Sequence, residues 1–125
     1  MLSRAPNASL VLAEWTDPGG GTDPPRYVAP LHIHQEDDEA WYVLEGALTV
    51  RVGDRDVEVT AGNGVIVPRG TSHTYWNPTP EPTRYLLVMT ERINALIEAL
   101  HSLREPEAEI GYVFAAHRSE YLGWP

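Results

Sequence analysis

The sequence predicts an all-β domain, an antiparallel sandwich or barrel, followed by a helical segment. Residues 48–52 and 56–60 alternate apolar with polar side chains, as half-buried strands do. Turn residues separate such stretches every several positions, which is typical of antiparallel sheets. At 125 residues the chain is long enough for one domain, which would bury roughly two-thirds of its unfolded surface. We expect residues 1–89 to form the barrel and residues 90–125 to form a helical tail packed on it.

The predicted strands are bounded by turn residues, chiefly Gly and Pro. Residues 16–25 have the composition of a mobile loop. Residues 65–67 form an apolar run without alternation, which predicts a buried strand. The turn positions include Gly46, Gly62, Gly64, Pro68 and Gly70. The predicted strands cover residues 9–15, 27–34, 39–45, 48–52, 56–60, 65–67, 73–77 and 85–89.

Two helices are predicted after the last strand. Thr90 is placed as an N-cap, and the first helix ends before Pro106. Residues 107–121 predict a second, weaker helix. The first helix carries an apolar stripe that could cover the barrel, composed of Ile93, Leu96, Ile97, Leu100 and Leu103.

Composition excludes several classes of function. The formal net charge of −9 and the pI near 4.8 argue against nucleic acid as a partner, because phosphate binding needs clustered basic residues. The apolar stretch at residues 10–13 is too short for export or for spanning a bilayer, so we expect a cytoplasmic protein without a membrane partner. The absence of cysteine excludes disulfides, thiolate metal ligands and a cysteine nucleophile.

Three histidines and a glutamate are spaced so that they can meet at one metal ion. Residues two apart on a strand point to the same face, so His32 and His34 can both face inward. A polar turn at residues 35–38 resets the phase, which lets Glu39 open the next strand inward as well. His73 follows a run of turn residues and opens another strand. Burying these four polar groups without a common partner would cost several kcal/mol.

The donor set suits a divalent transition metal. Imidazole and carboxylate together bind Fe, Mn, Ni, Cu, Co or Zn, and the sequence leaves the choice among them open. Four protein ligands leave about two positions on a six-coordinate ion for water, substrate or dioxygen.

Two motifs in the chain resemble those of the cupin superfamily. Residues 32–46 are similar to the first cupin motif and residues 62–77 to the second, and nine of the ten fixed positions match. The exception is Arg26, which stands where the first motif begins with glycine. The matching positions are His32, His34, Glu39, Gly46, Gly62, Pro68, Gly70, His73 and Asn77.

The resemblance implies a fold, a cofactor and a class of reaction. The fold would be an antiparallel double-stranded β-helix, or jelly-roll barrel, with one divalent metal at its centre. The histidine and glutamate pattern with a helical tail looks most like the quercetinase-type dioxygenases. On this reading Glu39 is both metal ligand and general base, and the substrate is a small aromatic or dicarbonyl molecule. Small cupins commonly pair through barrel edge strands, so we also expect a homodimer.

Strand phase predicts which other residues surround the metal. Trp41 and Val43 share the phase of Glu39, and Tyr75 and Asn77 share that of His73, so these four are candidates for the substrate pocket. Trp41 and Tyr75 could equally belong to ordinary barrel core, core is the favoured alternative for Val43, and Asn77 is expected to brace a loop instead. The acidic turn at residues 36–38 is interpreted as solvated, although its carboxylates could support the histidines. The two remaining histidines, His101 and His117, are expected at the surface.

Two other functions fit the same residues. The metal could act as a Lewis acid in a redox-free isomerisation or cyclisation of a carbonyl compound. Alternatively, the barrel could bind a small ligand without catalysis. Metal identity and oxygen dependence distinguish these hypotheses.

Overall fold

The structure, a computed structural model, describes residues 2–125 and consists of ten strands and two helices. The elements in chain order are β1 (Leu2–Ser3), β2 (Leu10–Asp17), β3 (His32–His34), β4 (Glu39–Glu45), β5 (Ala47–Val52), β6 (Arg55–Thr60), β7 (Gly64–Val67), β8 (Ser72–Trp76), β9 (Thr83–Thr90), α1 (Glu91–His101), α2 (Pro106–Ala116) and β10 (Ser119–Tyr121).

The strands form two five-stranded antiparallel sheets. Their orders are β1-β2-β9-β4-β7 and β10-β3-β8-β5-β6. The longest pairing joins β2 to β9, from Leu10 opposite Thr90 to Asp17 opposite Thr83. The predicted all-β architecture with C-terminal helices is thereby confirmed.

The core lies between the two sheets and follows the period of two along each strand. On β9, Tyr85, Leu87 and Met89 are buried, while the residues between them are half-buried. Leu48 on the opposite sheet is fully buried in the same hydrophobic core as these three side chains. Each such aliphatic side chain contributes roughly 1.5–3 kcal/mol to folding through removal of apolar surface from water.

The first helix begins where its cap predicts. The Thr90 hydroxyl accepts a hydrogen bond from the Ile93 amide at 3.2 Å, which satisfies one of the free donors of the first turn. Ile93 and Leu96 are buried, so the predicted apolar stripe does face the protein. Within residues 2–125 no helix is long and apolar enough to cross a membrane.

The prediction of a helix over residues 107–121 was wrong at its end. Helix α2 stops at Ala116, and Arg118 takes a left-handed conformation with φ of 54°. Residues 119–121 then form β10, in which Ser119 lies opposite His34 of β3. Local propensity did not reveal this strand because its pairing partner is distant in sequence.

Two strand predictions were also wrong in part. Only residues 32–34 of the predicted strand 27–34 are extended in a sheet. In the run 65–67, predicted as buried, the Ile66 side chain is 69% exposed. β7 is an edge strand with one face on the core, so its residues alternate after all. The loop at residues 16–25 is tied to a second loop, since the Gly20 amide donates to the Thr79 carbonyl at 2.7 Å.

Candidate metal centre

The four predicted residues meet between the two sheets. His32 and His34 lie on β3 and His73 on β8, where His32 is directly opposite His73. Glu39 is the first residue of β4, in the other sheet. All four side chains are buried, and one ligand atom from each lies within 4.8 Å of the others. These four residues, His32, His34, Glu39 and His73, form the cluster.

Each histidine is oriented by a hydrogen bond at Nδ1. The Nδ1 of His32 lies 2.6 Å from the Pro30 carbonyl oxygen, and that of His73 lies 3.0 Å from the Thr71 carbonyl oxygen. A carbonyl can only accept, so both rings carry the proton on Nδ1. The Nδ1 of His34 lies 2.8 Å from the hydroxyl of Ser119. That hydroxyl donates to the His117 carbonyl at 3.2 Å, and it therefore accepts from His34.

The Nε2 atoms of the three histidines are left as ligands for a cation. A neutral ring protonated on Nδ1 has a lone pair on Nε2. The Glu39 Oε1 atom lies 3.1 Å from Nε2 of His73 and 3.2 Å from Nε2 of His34. Acceptors this close repel one another unless a positive charge lies among them. Protons on the rings could supply that charge, and a divalent metal would satisfy all four groups at once.

Electrostatics hold Glu39 and His32 in the forms that bind metals. Burial alone would raise the pKa of Glu39. Without a metal, protons on the Nε2 atoms of His34 and His73 would take the place of the cation, and their hydrogen bonds and charge outweigh burial and lower the pKa of Glu39 to about 2. Burial, reinforced by the neighbouring His73 and His34, lowers the pKa of His32 to about 3. At neutral pH, Glu39 is therefore an anion and His32 a neutral ring.

A cavity of about 340 Å³ extends from the cluster. Its lining includes His32, His34 and Glu39 and continues with apolar side chains from the barrel, α1 and α2. Phe114 of α2 closes one side, since its ring centre lies 5.2 Å from that of His32. The volume falls in the range of small-molecule sites.

The predicted pocket residues divide into two groups. Trp41 and Tyr75 line the cavity, whereas Val43 and Asn77 are not among its lining residues. Val43 points to the same side of β4 as Trp41, but it lies two residues farther from Glu39 along the strand, in the hydrophobic core. The Asn77 amide donates to the Glu81 carbonyl at 2.8 Å and thereby braces the loop that follows β8.

Trp41 and Tyr75 form a part of the cavity wall that carries no charge. The hydroxyls of Tyr75 and Tyr85 are hydrogen-bonded at 2.9 Å. Burial raises the pKa of Tyr75 well above its usual value, so this hydroxyl stays protonated at neutral pH. The indole nitrogen of Trp41 is buried without a hydrogen-bond partner in the part of the chain that the structure describes.

The acidic turn pairs with arginine side chains, and Glu36 and Asp38 are exposed, whereas Asp37 is buried, contrary to the interpretation of a solvated turn. Asp38 pairs with Arg69 at 3.1 Å, and Asp37 and Glu36 both pair with Arg92. Among the described residues, none of these carboxylates bonds to the Nδ1 atoms of the cluster histidines, which bond to Pro30, Thr71 and Ser119 instead.

The sequence did not identify every residue around the site. His101 is exposed, as expected, and stands at the edge of the cavity. His117 is half-buried, contrary to expectation, because its Nδ1 bonds to the Val113 carbonyl at the end of α2. Ser119 was missed, since no local pattern connects a serine in the tail to His34. The apolar stripe of α1 was recognised, but its place in the cavity wall was not.

Comparison with known families identifies the class of protein that this fold and cluster define. Residues 18–89 match the family described as Cupin domain, and the chain belongs to that family. A solved structure with the same fold is the cupin domain of Cnp3 from Schizosaccharomyces pombe, with a TM-score of 0.60 and 16% identity. The superposition covers 83% of this chain and 68% of that one.

Two curated relatives from fungi carry names that indicate a reaction class. Oxidoreductase iacF of Pestalotiopsis fici is 37% identical over 59 residues, which are 46% of this chain and 28% of that protein. Probable oxidoreductase virH of Hypocrea virens is 39% identical over 49 residues, covering 38% of this chain and 22% of that protein. This chain thus matches under a third of the length of either relative.

Proposed function

We propose that this chain is a metal-dependent dioxygenase acting on a small aromatic or dicarbonyl compound. The observation that carries the proposal is the convergence of His32, His34, Glu39 and His73 on one point, with each histidine Nδ1 already committed to an acceptor. The names of the two fungal relatives favour oxidation and reduction over other cupin chemistry.

The four residues would hold one divalent metal through three Nε2 atoms and a Glu39 oxygen. Such a metal would supply Lewis-acid activation of a substrate oxygen and, if redox-active, a route for electrons to dioxygen. The hydrogen bonds at Nδ1 keep the rings from rotating away, which preserves ligand geometry.

Glu39 would also move the substrate proton. Its carboxylate is ionised at neutral pH and faces the cavity, so it can accept a proton from an acidic carbon or hydroxyl of a bound substrate. The aromatic wall of Trp41 and Tyr75 would exclude water and hold the apolar part of the substrate against the cluster.

The first test is elemental analysis of protein purified without a histidine tag. We expect about one transition metal per chain, and His73→Ala should lower both metal content and Tm because a ligand bound only by the folded state stabilises it. His101→Ala is the matched control, since His101 lies outside the cluster. Full metal retention in His73→Ala would remove His73 from the site.

The second test is oxygen consumption. Iron, nickel, manganese or copper with oxygen uptake on a flavonol or β-dicarbonyl substrate would support the proposal. Zinc without oxygen uptake would favour a redox-free isomerase or cyclase, or a small-ligand carrier, at the same site.

A further inference from the structure

Much of the cavity lies beyond the reach of the metal cluster. It continues beneath the two C-terminal helices, where its walls are aliphatic side chains that include Leu96, Leu100 and Ile110. Five aromatic residues other than histidine contribute as well, and three of them are tryptophans, Trp15, Trp41 and Trp124. Holding a metal requires none of these residues. Their common property is an apolar surface that water solvates poorly.

Charge limits what this space can accept. The chain has no lysine, and none of its nine arginines lines the cavity. Several arginines are paired with carboxylates elsewhere, as Arg69 is with Asp38 and Arg4 with Glu91. Away from the cluster, the one basic side chain in the wall is the exposed His101 at the cavity edge. The apolar interior therefore offers no partner for a phosphate or a second carboxylate, and desolvating such a group there would be costly.

We infer that the ligand of this site is an elongated, mostly apolar molecule with its oxygen-bearing head at the four-residue cluster and its body beneath α1 and α2. The head carries at most one negative charge. This inference rests on the proposed metal centre for the position of the head, and it excludes sugar phosphates, nucleotides and dicarboxylates as ligands. The helical tail that follows the barrel is thus the part of the chain that selects the substrate.

The test uses acetylacetone and its homologues in which one terminal methyl is extended to propyl, pentyl or heptyl. Binding to zinc-loaded protein is measured by calorimetry under nitrogen, so that no turnover occurs. Each methylene that enters the cavity should tighten binding about fourfold, until the space is filled. An affinity that does not change along the series would overturn the inference.

Substitutions on α1 test where the apolar body of the ligand binds. Leu100→Asp should weaken binding of the heptyl homologue to nearly that of acetylacetone and leave acetylacetone unchanged. Ala95→Asp is the matched control, because Ala95 is exposed on the same helix and outside the cavity wall. Leu100→Trp fills the space without adding charge, and it should shorten the chain length that binds best. Equal losses in Leu100→Asp and Ala95→Asp, with no effect of Leu100→Trp, would show that the body lies elsewhere.

A binding experiment on metal-free protein distinguishes failure of this inference from failure of the proposed function. Binding of 1-octanol to metal-free protein can be followed by the fluorescence of the tryptophans in the wall, and Leu100→Asp should abolish it. If octanol binds but no dione binds the zinc-loaded protein, the metal centre fails and the apolar cavity stands. If acetylacetone binds and neither octanol nor a longer tail adds affinity, the cavity inference fails and the metal centre stands.

Discussion

Glu39 is set apart from the three histidines by its position and by its chemistry. It projects from the opposite sheet, and it is the one residue of the cluster that is anionic at neutral pH without a metal. Because a glutamine can still offer an oxygen ligand but cannot accept a proton, Glu39→Gln separates metal binding from proton transfer.

We expect Glu39→Gln to reduce kcat by ~10²–10⁴-fold while KM changes little, as is typical when a positioned general base is lost. The measurement is steady-state oxygen uptake with metal content determined on the same sample. A metal-loaded Glu39→Gln protein that turns over at the wild-type rate would exclude Glu39 as the base.

The shifted pKa values of His32 and Glu39 predict how stability depends on pH in the metal-free protein. The pKa of His32 falls from 6.5 to about 3 on folding, so the unfolded chain takes up a proton first as the pH drops below 6.5. The pKa of Glu39 falls from 4.5 to about 2, which acts in the same direction at lower pH. The free energy of unfolding should therefore be greatest above pH 6.5 and decrease on acidification, by up to about 1.4 kcal/mol per pH unit for each group.

Denaturant unfolding of chelator-treated protein between neutral pH and pH 4 measures this slope. His32→Asn removes the titrating ring, and its stability should be flatter between pH 6.5 and pH 4.5 than that of the wild type. Equal slopes in the two proteins would show that His32 is not held neutral by the fold.

At the scale of elements, strand β10 connects the tail to the cluster. Ser119 is buried on β10, and its hydroxyl accepts from the Nδ1 of His34 across 85 positions of sequence. The β10–β3 pairing places it there, with Ser119 opposite His34. The tail thus fixes the ring orientation of a residue in the barrel.

We expect Ser119→Ala to weaken metal binding 10–100-fold, which is typical for loss of a hydrogen bond that orients a ligand. Competition with a chelator measures the affinity, and the ¹⁵N chemical shifts of the His34 ring report its tautomer. Ser119→Thr keeps the hydroxyl and should restore both readouts. Ser102→Ala is the control, because Ser102 caps the end of α1 and its hydroxyl donates to the Glu98 carbonyl. Unchanged affinity and tautomer in Ser119→Ala would limit Ser119 to pairing of the strands.

The sequence could group the four cluster residues because three of them lie within eight positions and the fourth follows a recognisable turn. It could not find Ser119, since its partner is set by tertiary pairing of a three-residue strand. Phase alone placed Trp41 and Val43 on one face, but it did not say how far along β4 the cavity extends. The alternating strands and the Thr90 cap were predictable from local physics, whereas the end of α2 was decided by a distant strand.

At the scale of the whole molecule, one sheet presents an apolar outer face. Leu12, Val88, Ala40 and Ile66 lie side by side across β2, β9, β4 and β7. Leu12 is 46% exposed and Ile66 69% exposed. A row of this kind on the solvent side of a sheet is typical of a protein–protein interface. The described sheets end at β1 and β7 and at β10 and β6. β1 and β10 are very short and β7 already belongs to the apolar row, so the face is a stronger candidate for pairing than those three edges.

We therefore predict that the chain forms a homodimer through this face. Ile66→Asp should convert it to a monomer, because two carboxylates would be buried opposite each other in a pair of molecules that each carry a formal charge of −9. Arg55→Ala changes the net charge by the same amount on the other sheet and should leave the dimer intact. Light scattering at high micromolar concentration gives the mass, and added salt should strengthen the wild-type dimer by screening its like charges. A monomer mass for the wild type in both low and high salt would reject the dimer, while a dimer that survives Ile66→Asp would place the interface on another surface.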